Sequence, residues 1–330
     1  MKRLLVTGVP GWLTNALLES LAVSSPAELK EVRCMMLHPG PLPELPKSSV
    51  QFTSIVGNLE EMADLKEAVV GCDAILHTAG ILHVRRTADW YRVNTDGTRH
   101  LLEAAQKAGV RRFVLISSNA AAGKSSSNRD LLTEQDPPKP LSHYGKSKLL
   151  AEHLVLASPM EGVVIRPCMF YGPPVPERHV DIYKRIQKGR MPMIGHGNYA
   201  RSVTHIHNLV QGCVLALTKS TAVGQTYYIA DAEVYTTRRI IEAMAKALNV
   251  EPRYLQLPSF IAPIAFLGDR MLAALGLYWQ NLHLVGEADW HVGVSIEKAK
   301  RELGYIPTEE LETGMHAAID WCCAKGLFTS

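Results

Sequence analysis

Through the first half of the chain, short β-rich runs alternate with longer stretches of helical periodicity. The runs predict strands over residues 3–7, 32–37, 50–56, 74–78, 113–117 and 163–166. The stretches between them, among them 13–22, 59–69 and 90–108, predict helices long enough to cross over between parallel strands. Leu4-Leu5-Val6 and Val114-Leu115-Ile116 lack polar alternation, which marks strands covered on both faces. The expected fold class is α/β, a doubly wound parallel sheet.

After Arg166 the rhythm changes. Pro167, Pro173, Pro174 and Pro176 interrupt the chain within ten residues and predict a loop or a lobe boundary. A helix over 240–248 lines up Ile240, Ile241, Met244, Ala245 and Leu248 on one face. The remainder reads as a smaller, mostly helical lobe folded over the carboxyl edge of the sheet.

Composition narrows the function classes. Hydrophobic residues make up 47% of the 330 and charged residues 20%, as in an ordinary globular protein. The 35 basic side chains are interspersed with 32 acidic ones, so no basic stripe marks nucleic acid as a partner. Six cysteines without a CxxC spacing argue against a zinc cage and suit reduced thiols in the cytoplasm. Met1-Lys2-Arg3 leads into an apolar run too short for a secretory leader. The most apolar stretch, 260–278, carries Asp269 and Arg270 at its centre; an amphipathic or pocket-covering helix is expected there, not a membrane span.

The first strand runs straight into Thr7-Gly8-Val9-Pro10-Gly11-Trp12-Leu13-Thr14 and then a helix. Glycines at such a turn let the backbone approach a pyrophosphate, whose charge the helix N-terminal amides stabilise. An acid that would bind the adenosine ribose of NAD is missing from Met36-Leu37-His38-Pro39. His38 could contact a 2′-phosphate, which tilts the cofactor expectation within NAD(P) toward NADP.

Further stretches follow in order: HTAG at 77–80, NTDGT at 94–98, ISS at 116–118, YGKSK at 144–148, RPCMFYGP at 166–173 and SVTHIHNLVQG at 202–212. Together they resemble the extended short-chain dehydrogenase/reductase family, the NAD(P)-dependent epimerase/dehydratase type, over essentially the whole chain. The similarity is greatest to the 3β-hydroxysteroid dehydrogenase-like branch. The resemblance implies a Rossmann-type dinucleotide domain over 1–166, with 200–232 returning to it. Residues 167–199 and 233–330 would form the substrate lobe.

The resemblance also implies site roles. Gly8, Gly11, Trp12 and Leu13 would line the pyrophosphate, and Asn58 and Leu59 would lie by the adenine. His77, Ala79 and Gly80 would follow the central part of the cofactor, and Asn94 would support the active site. Pro167 and Met169 would meet the nicotinamide amide through their backbones. Three positions depart from the family pattern: Thr14 replaces the third glycine, Asn58 replaces an Asp, and the ribose-binding acid is absent. Dimerisation through the 90–108 and 144–157 helices is a family expectation.

Tyr144 and Lys148 are four apart, which puts them one turn from each other on a helix face. A free phenol, with a pKa of about 10, is a sluggish proton relay near neutrality. A nearby ammonium and an oxidised nicotinamide would favour the phenolate, allowing tyrosine to exchange a proton with a substrate oxygen. Lys148 would also bind the nicotinamide ribose. Ser118, five residues before Gly123 as in the family, would steady the substrate oxygen. His205 and His207 alternate as metal ligands can, but no matching carboxylate or cysteine follows them in sequence, so no metal is assigned.

The apolar density between 255 and 284 favours a substrate with a hydrophobic body, a secondary alcohol or ketone. Two alternatives stay open: a nucleotide-sugar epimerase or dehydratase, and a non-catalytic dinucleotide-binding sensor.

Overall fold

The computed structural model describes residues 1–189 and 191–327. Residues 190 and 328–330, counted by sequence in the smaller lobe, lie outside the described residues. Six strands come in the predicted places: β1 (Arg3–Val9), β2 (Glu31–Met36), β3 (Gln51–Val56), β4 (Ala74–His77), β5 (Arg112–Ile116) and β6 (Glu161–Pro167). A further strand, Thr226–Ile229, joins beside β6. The order is Thr226–Ile229, β6, β5, β4, β1, β2, β3, and every pairing is parallel.

Side-chain alternation explains why these strands read as solid apolar runs. Leu4, Val6, Leu76, Val114, Val163 and Ile165 point to one face, where α1 (Trp12–Val23) and the Ile206–Thr218 helix cover them. Leu5, Ile75, Phe113, Leu115 and Val164 point to the other, under α2 (Met62–Val69) and the His143–Ala157 helix. Both faces of the central strands β1, β4, β5 and β6 are dry, whereas β2 and β3 toward the edge carry Arg33, Thr53 and Ser54. The expected helix over 90–108 appears as one continuous helical run from 87 to 107 with a π-helical stretch at Tyr91–Asp96.

A second hydrophobic core has Tyr183, Met193, Ile240, Ile241, Met244 and Ile319 at its centre. Among the described residues, three short two-stranded ladders lie outside the main sheet. Met169–Tyr171 pairs with Val203–His205, Met191–Ile194 with Tyr254–Leu257, and Ala200–Arg201 with Tyr235–Thr236. Among the described residues, no helix is long and apolar enough to cross a membrane. All six cysteines are free.

Candidate active site

The carboxyl ends of β1, β4 and β5 meet the amino ends of α1 and the His143–Ala157 helix. Gly8 turns the chain at φ +81, and a Cβ there would lie 2.6 Å from Thr78 Oγ1 and 2.8 Å from the Ala79 nitrogen. Only glycine fits this cradle. Gly11 is the N-cap of α1 and offers no capping side chain, so the first helical amides remain available to an anion. A pyrophosphate therefore fits this turn on the geometry of the chain itself.

Thr14 does not crowd the helix. Its hydroxyl lies 3.2 Å from the Gly8 carbonyl and 3.1 Å from that of Gly11, and it clasps the loop from inside. Trp12 is turned toward the other lobe: its indole donates to the Gly172 carbonyl at 3.2 Å, and its ring packs on His179. Leu13 is buried in the sheet core.

Asn58 uses its side chain locally, accepting from the Glu60 amide at 3.1 Å, while its own amide donates to Asp64. Leu59 is buried beneath Gly97. His38 is exposed beyond the end of β2.

His77 is almost wholly buried and both ring nitrogens are engaged. The Thr7 hydroxyl oxygen accepts the Thr78 and Ala79 amides and lies 2.8 Å from His77 Nδ1, so its hydrogen is directed at that nitrogen. Nε2 then carries the proton and donates to Thr98 Oγ1 at 3.1 Å, whose own hydrogen goes to the Asn94 carbonyl. Burial, helped by the Lys148 charge, lowers His77 to about 3, so the ring is neutral at ordinary pH. The His77 side chain is thus committed to bracing the sheet against the 87–107 helix, which leaves only its backbone for the expected contact with a cofactor.

Asn94 is held on both sides. Its Oδ1 accepts the Ile81 amide at 2.8 Å, and its Nδ2 donates to the Ile81 carbonyl and to Ser147 Oγ. A Cβ on Gly80 would fall 2.9 Å from Asn94 Oδ1 and 4.0 Å from Lys148 Nζ, which makes Gly80 the floor between them. Ala79 lies alongside with its amide on Thr7.

Ser142 caps the His143–Ala157 helix by accepting the Gly145 amide at 3.1 Å, and this sets Tyr144 and Lys148 in its first two turns. Gly145 lets the helix approach closely, since a Cβ there would meet the Ala120 carbonyl at 2.2 Å. Ser118 caps the short turn after β5, its hydroxyl accepting the Ala120 amide at 3.2 Å and donating to Asn119 Oδ1 at 3.4 Å, and it lies beside the Tyr144 phenol. Burial pushes the Tyr144 phenol up to about 12, with the Ser118 contact pulling the other way. Burial brings Lys148 down to about 8 against the opposing charge of Glu152. The expected effect of the ammonium on the phenol is not seen in this state: Lys148 donates to the Ile116 carbonyl, and the phenol stays protonated at neutrality. Trp90 stands 6.2 Å from the Tyr144 ring and packs edge-on against Tyr278, forming an aromatic wall.

Two residues not singled out in the sequence underlie this pair. Glu152, one turn beyond Lys148, is buried with Arg166 in an ion pair of 2.6 Å and also accepts from Ser117 at 2.5 Å. The spacing of Glu152 from Lys148 was the available signal; its partner arrives from β6, 14 residues on. Pro167 is buried at the end of β6, whereas Met169 is 50% exposed. Ser125 is buried and tied to the His291 backbone.

Asp231 gathers the Tyr171 hydroxyl, the His205 amide and the Asn208 side chain, and burial raises it to about 6 against these hydrogen bonds. The fold also supplies the carboxylate that sequence order hid. Glu309 offers one ligand atom within 4.8 Å of those of His205 and His207. The reason for assigning no metal there does not hold in the folded chain. His205 Nδ1 serves as a cap, accepting the His207 amide at 3.3 Å.

Residues 4–230 match the model of the NAD dependent epimerase/dehydratase family. An uncharacterised protein of Sinorhizobium fredii, y4nL, is 35% identical over 98% of this chain and 95% of its own length. A 4-hydroxy-2-methyl-3-oxo-4-farnesyl-3,4-dihydroquinoline-1-oxide ketoreductase of Stigmatella aurantiaca is 28% identical, covering 96% and 95%. A 3-beta-hydroxysteroid dehydrogenase of Mycolicibacterium neoaurum is 29% identical, covering 95% and 89%. Among solved structures, MoeE5 in complex with UDP-glucuronic acid and NAD superposes with a TM-score of 0.77 at 20% identity, covering 98% of this chain and 99% of that one. RMD from Pseudomonas aeruginosa complexed with NADPH superposes at 0.71 and 21% identity, covering 97% and 99%. This chain belongs to the NAD-dependent epimerase/dehydratase family and is an NAD(P)-dependent enzyme of the extended short-chain dehydrogenase/reductase type.

Proposed function

We propose that the protein reduces a ketone with an apolar body to the secondary alcohol, and runs the reverse oxidation when the phenol is deprotonated. The observation that carries this reading is the Tyr144 phenol, held protonated by burial beside Ser118 on the Ser142-capped helix that also carries Lys148. A phenol held as an acid is ready to donate to a substrate carbonyl, while Ser118 steadies the oxygen as charge develops. Lys148, anchored to Ile116, fixes the helix that presents Tyr144. Gly8, Gly11 and the first amides of α1 would hold the pyrophosphate of NAD(P), with Gly80 and Asn94 framing its nicotinamide end. Bound there, NAD(P) supplies the hydride donor or acceptor.

The lack of an acid after β2, with His38 exposed there, favours NADP. The Trp90–Tyr278 wall beside Tyr144, and two relatives named for a farnesylated quinoline and a steroid, support an apolar substrate. The apolar density over 260–275 supports it less than the sequence suggested, because its largest side chains face outward. A second reading, nucleotide-sugar epimerisation, draws on the structural likeness to MoeE5 with its UDP-sugar.

A coupled absorbance assay with NADH and NADPH against aryl, steroid and prenylated ketones, alongside UDP-sugars, separates the readings. Turnover of ketones that Tyr144→Phe abolishes is expected. Turnover of UDP-sugars with no ketone consumed would sink the ketone reading, and no turnover of any kind would favour a sensor.

A further inference from the structure

The helix Ile261–Ala274 is built inside out. Its inward positions are Ala262, Ala265 and Asp269, small or charged, whereas Phe260, Ile264, Leu267, Met271 and Leu275 along its outer face are each 61–75% exposed. These five recur at spacings of four, three, four and four, which stacks them into one stripe along the helix. A charged residue does not turn inward while large apolar ones turn outward unless each is satisfied. Asp269 is satisfied, because His283 Nδ1 bonds it at 2.8 Å and its other ring nitrogen meets Glu287. The stripe has no such account in the isolated chain. Trp279 and Leu277, 58% and 47% exposed, extend it past the helix end.

Charge around the stripe selects the occupant. From 260 to 286 the sequence holds a single acid, the buried Asp269. Exposed cations border the stripe: Arg270 on the helix itself, and Arg85 and Arg86, whose backbones pair with the chain at Tyr278 and Leu277. The two arginines lie beside the apolar crest. An apolar crest with an aromatic end and an arginine border, free of exposed carboxylates, matches an anionic lipid interface.

We propose that this crest docks the protein on the surface of an anionic membrane, with the helix lying in the interface plane. The side chains from Phe260 to Leu275 enter the acyl boundary, and Arg85, Arg86 and Arg270 meet lipid phosphates. The same hairpin carries Tyr278, which packs on the Trp90 wall beside Tyr144, so docking sets the site next to the membrane surface. The inference goes beyond the proposed reaction and does not depend on it.

The test is flotation of the full chain with vesicles of phosphatidylcholine alone and of phosphatidylcholine mixed with phosphatidylglycerol, without substrate or cofactor. The wild type floats with the mixed vesicles and less at high salt. Leu267→Gln with Met271→Gln lowers the bound fraction at least about tenfold, since each loses several buried methylenes. Arg85→Gln with Arg86→Gln and Arg270→Gln removes the preference for anionic lipid, and a far-ultraviolet dichroism spectrum checks that each variant is folded. A wild type that stays unbound to both vesicles overturns the proposal, as does a folded crest variant that still floats. A crest variant that turns a dimer into a monomer, with no wild-type flotation, assigns the face to a second copy instead.

Discussion

Lys148 Nζ donates to the carbonyl of Ile116 at 2.7 Å, tying the helix that carries Tyr144 to the strand end two residues before Ser118. Tyr144→Phe removes only the acid and is expected to lower kcat by about 10²–10⁴-fold, with the melting temperature little changed. Lys148→Met also strips the Ile116 carbonyl of its donor, so it should lower both turnover and melting temperature. Equal melting of the two variants would show that the tie is not structural.

The buried Glu152–Arg166 pair gives a separate stability test. Removing one partner strands the other charge, so Glu152→Met or Arg166→Met alone should cost about 3–5 kcal/mol in urea unfolding. The double variant should recover much of that loss. If the two single losses simply added, the pair would not be coupled.

Thr14 makes an opposite case from the family pattern. Restoring glycine with Thr14→Gly deletes the clasp on Gly8 and Gly11 and loosens the first turn of α1, for a loss of about 1–2 kcal/mol. Cofactor affinity, measured by fluorescence titration, should not improve. A clear tightening would mean that Thr14 obstructs the site.

Two histidines bound the stability plateau from opposite sides. Burial alone would lower His283, but the hydrogen bonds its ring donates to Asp269 and Glu287 outweigh it and hold the ring at about 10, above its ordinary 6.5. Its contribution is therefore complete below pH 6.5 and is lost as pH rises through 10. His77, lowered to about 3, favours folding above pH 6.5 and loses that contribution as pH falls toward 3. Melting temperatures across this range should fall at both ends, and His283→Gln should flatten the alkaline limb alone. An unchanged alkaline limb would remove His283 from the account.

Much of the frame was legible because the sheet is buried on both faces. Six strands announced themselves as short β-rich runs, unbroken in the central strands, and their observed ends differ from the expected ones by at most two residues. The ladders of the smaller lobe were not legible: two to four residues carry no period, and Met169–Tyr171 finds Val203–His205 only once the lobe is packed. Thr226–Ile229 was missed as a strand for a related reason, since its two tyrosines break the aliphatic run. At the site, Tyr144, Lys148 and Ser118 stand in compact local motifs. Glu152 with Arg166, and Glu309 with His205, depend on segments meeting across the fold, which spacing along a chain does not record.

The late arrival of Thr226–Ile229 has a consequence for the growing chain. During synthesis β6 is finished at residue 167, yet its outer neighbour emerges nearly sixty residues later. Until then the edge of β6 presents unpaired amides and carbonyls, and one sheet face waits for the Ile206–Thr218 helix, so the partial sheet is a template for pairing with another nascent chain. The intervening lobe is the interval of greatest aggregation risk on the ribosome. A stalled chain ending before Thr226 should be captured by chaperones, and one released after Ile229 should not.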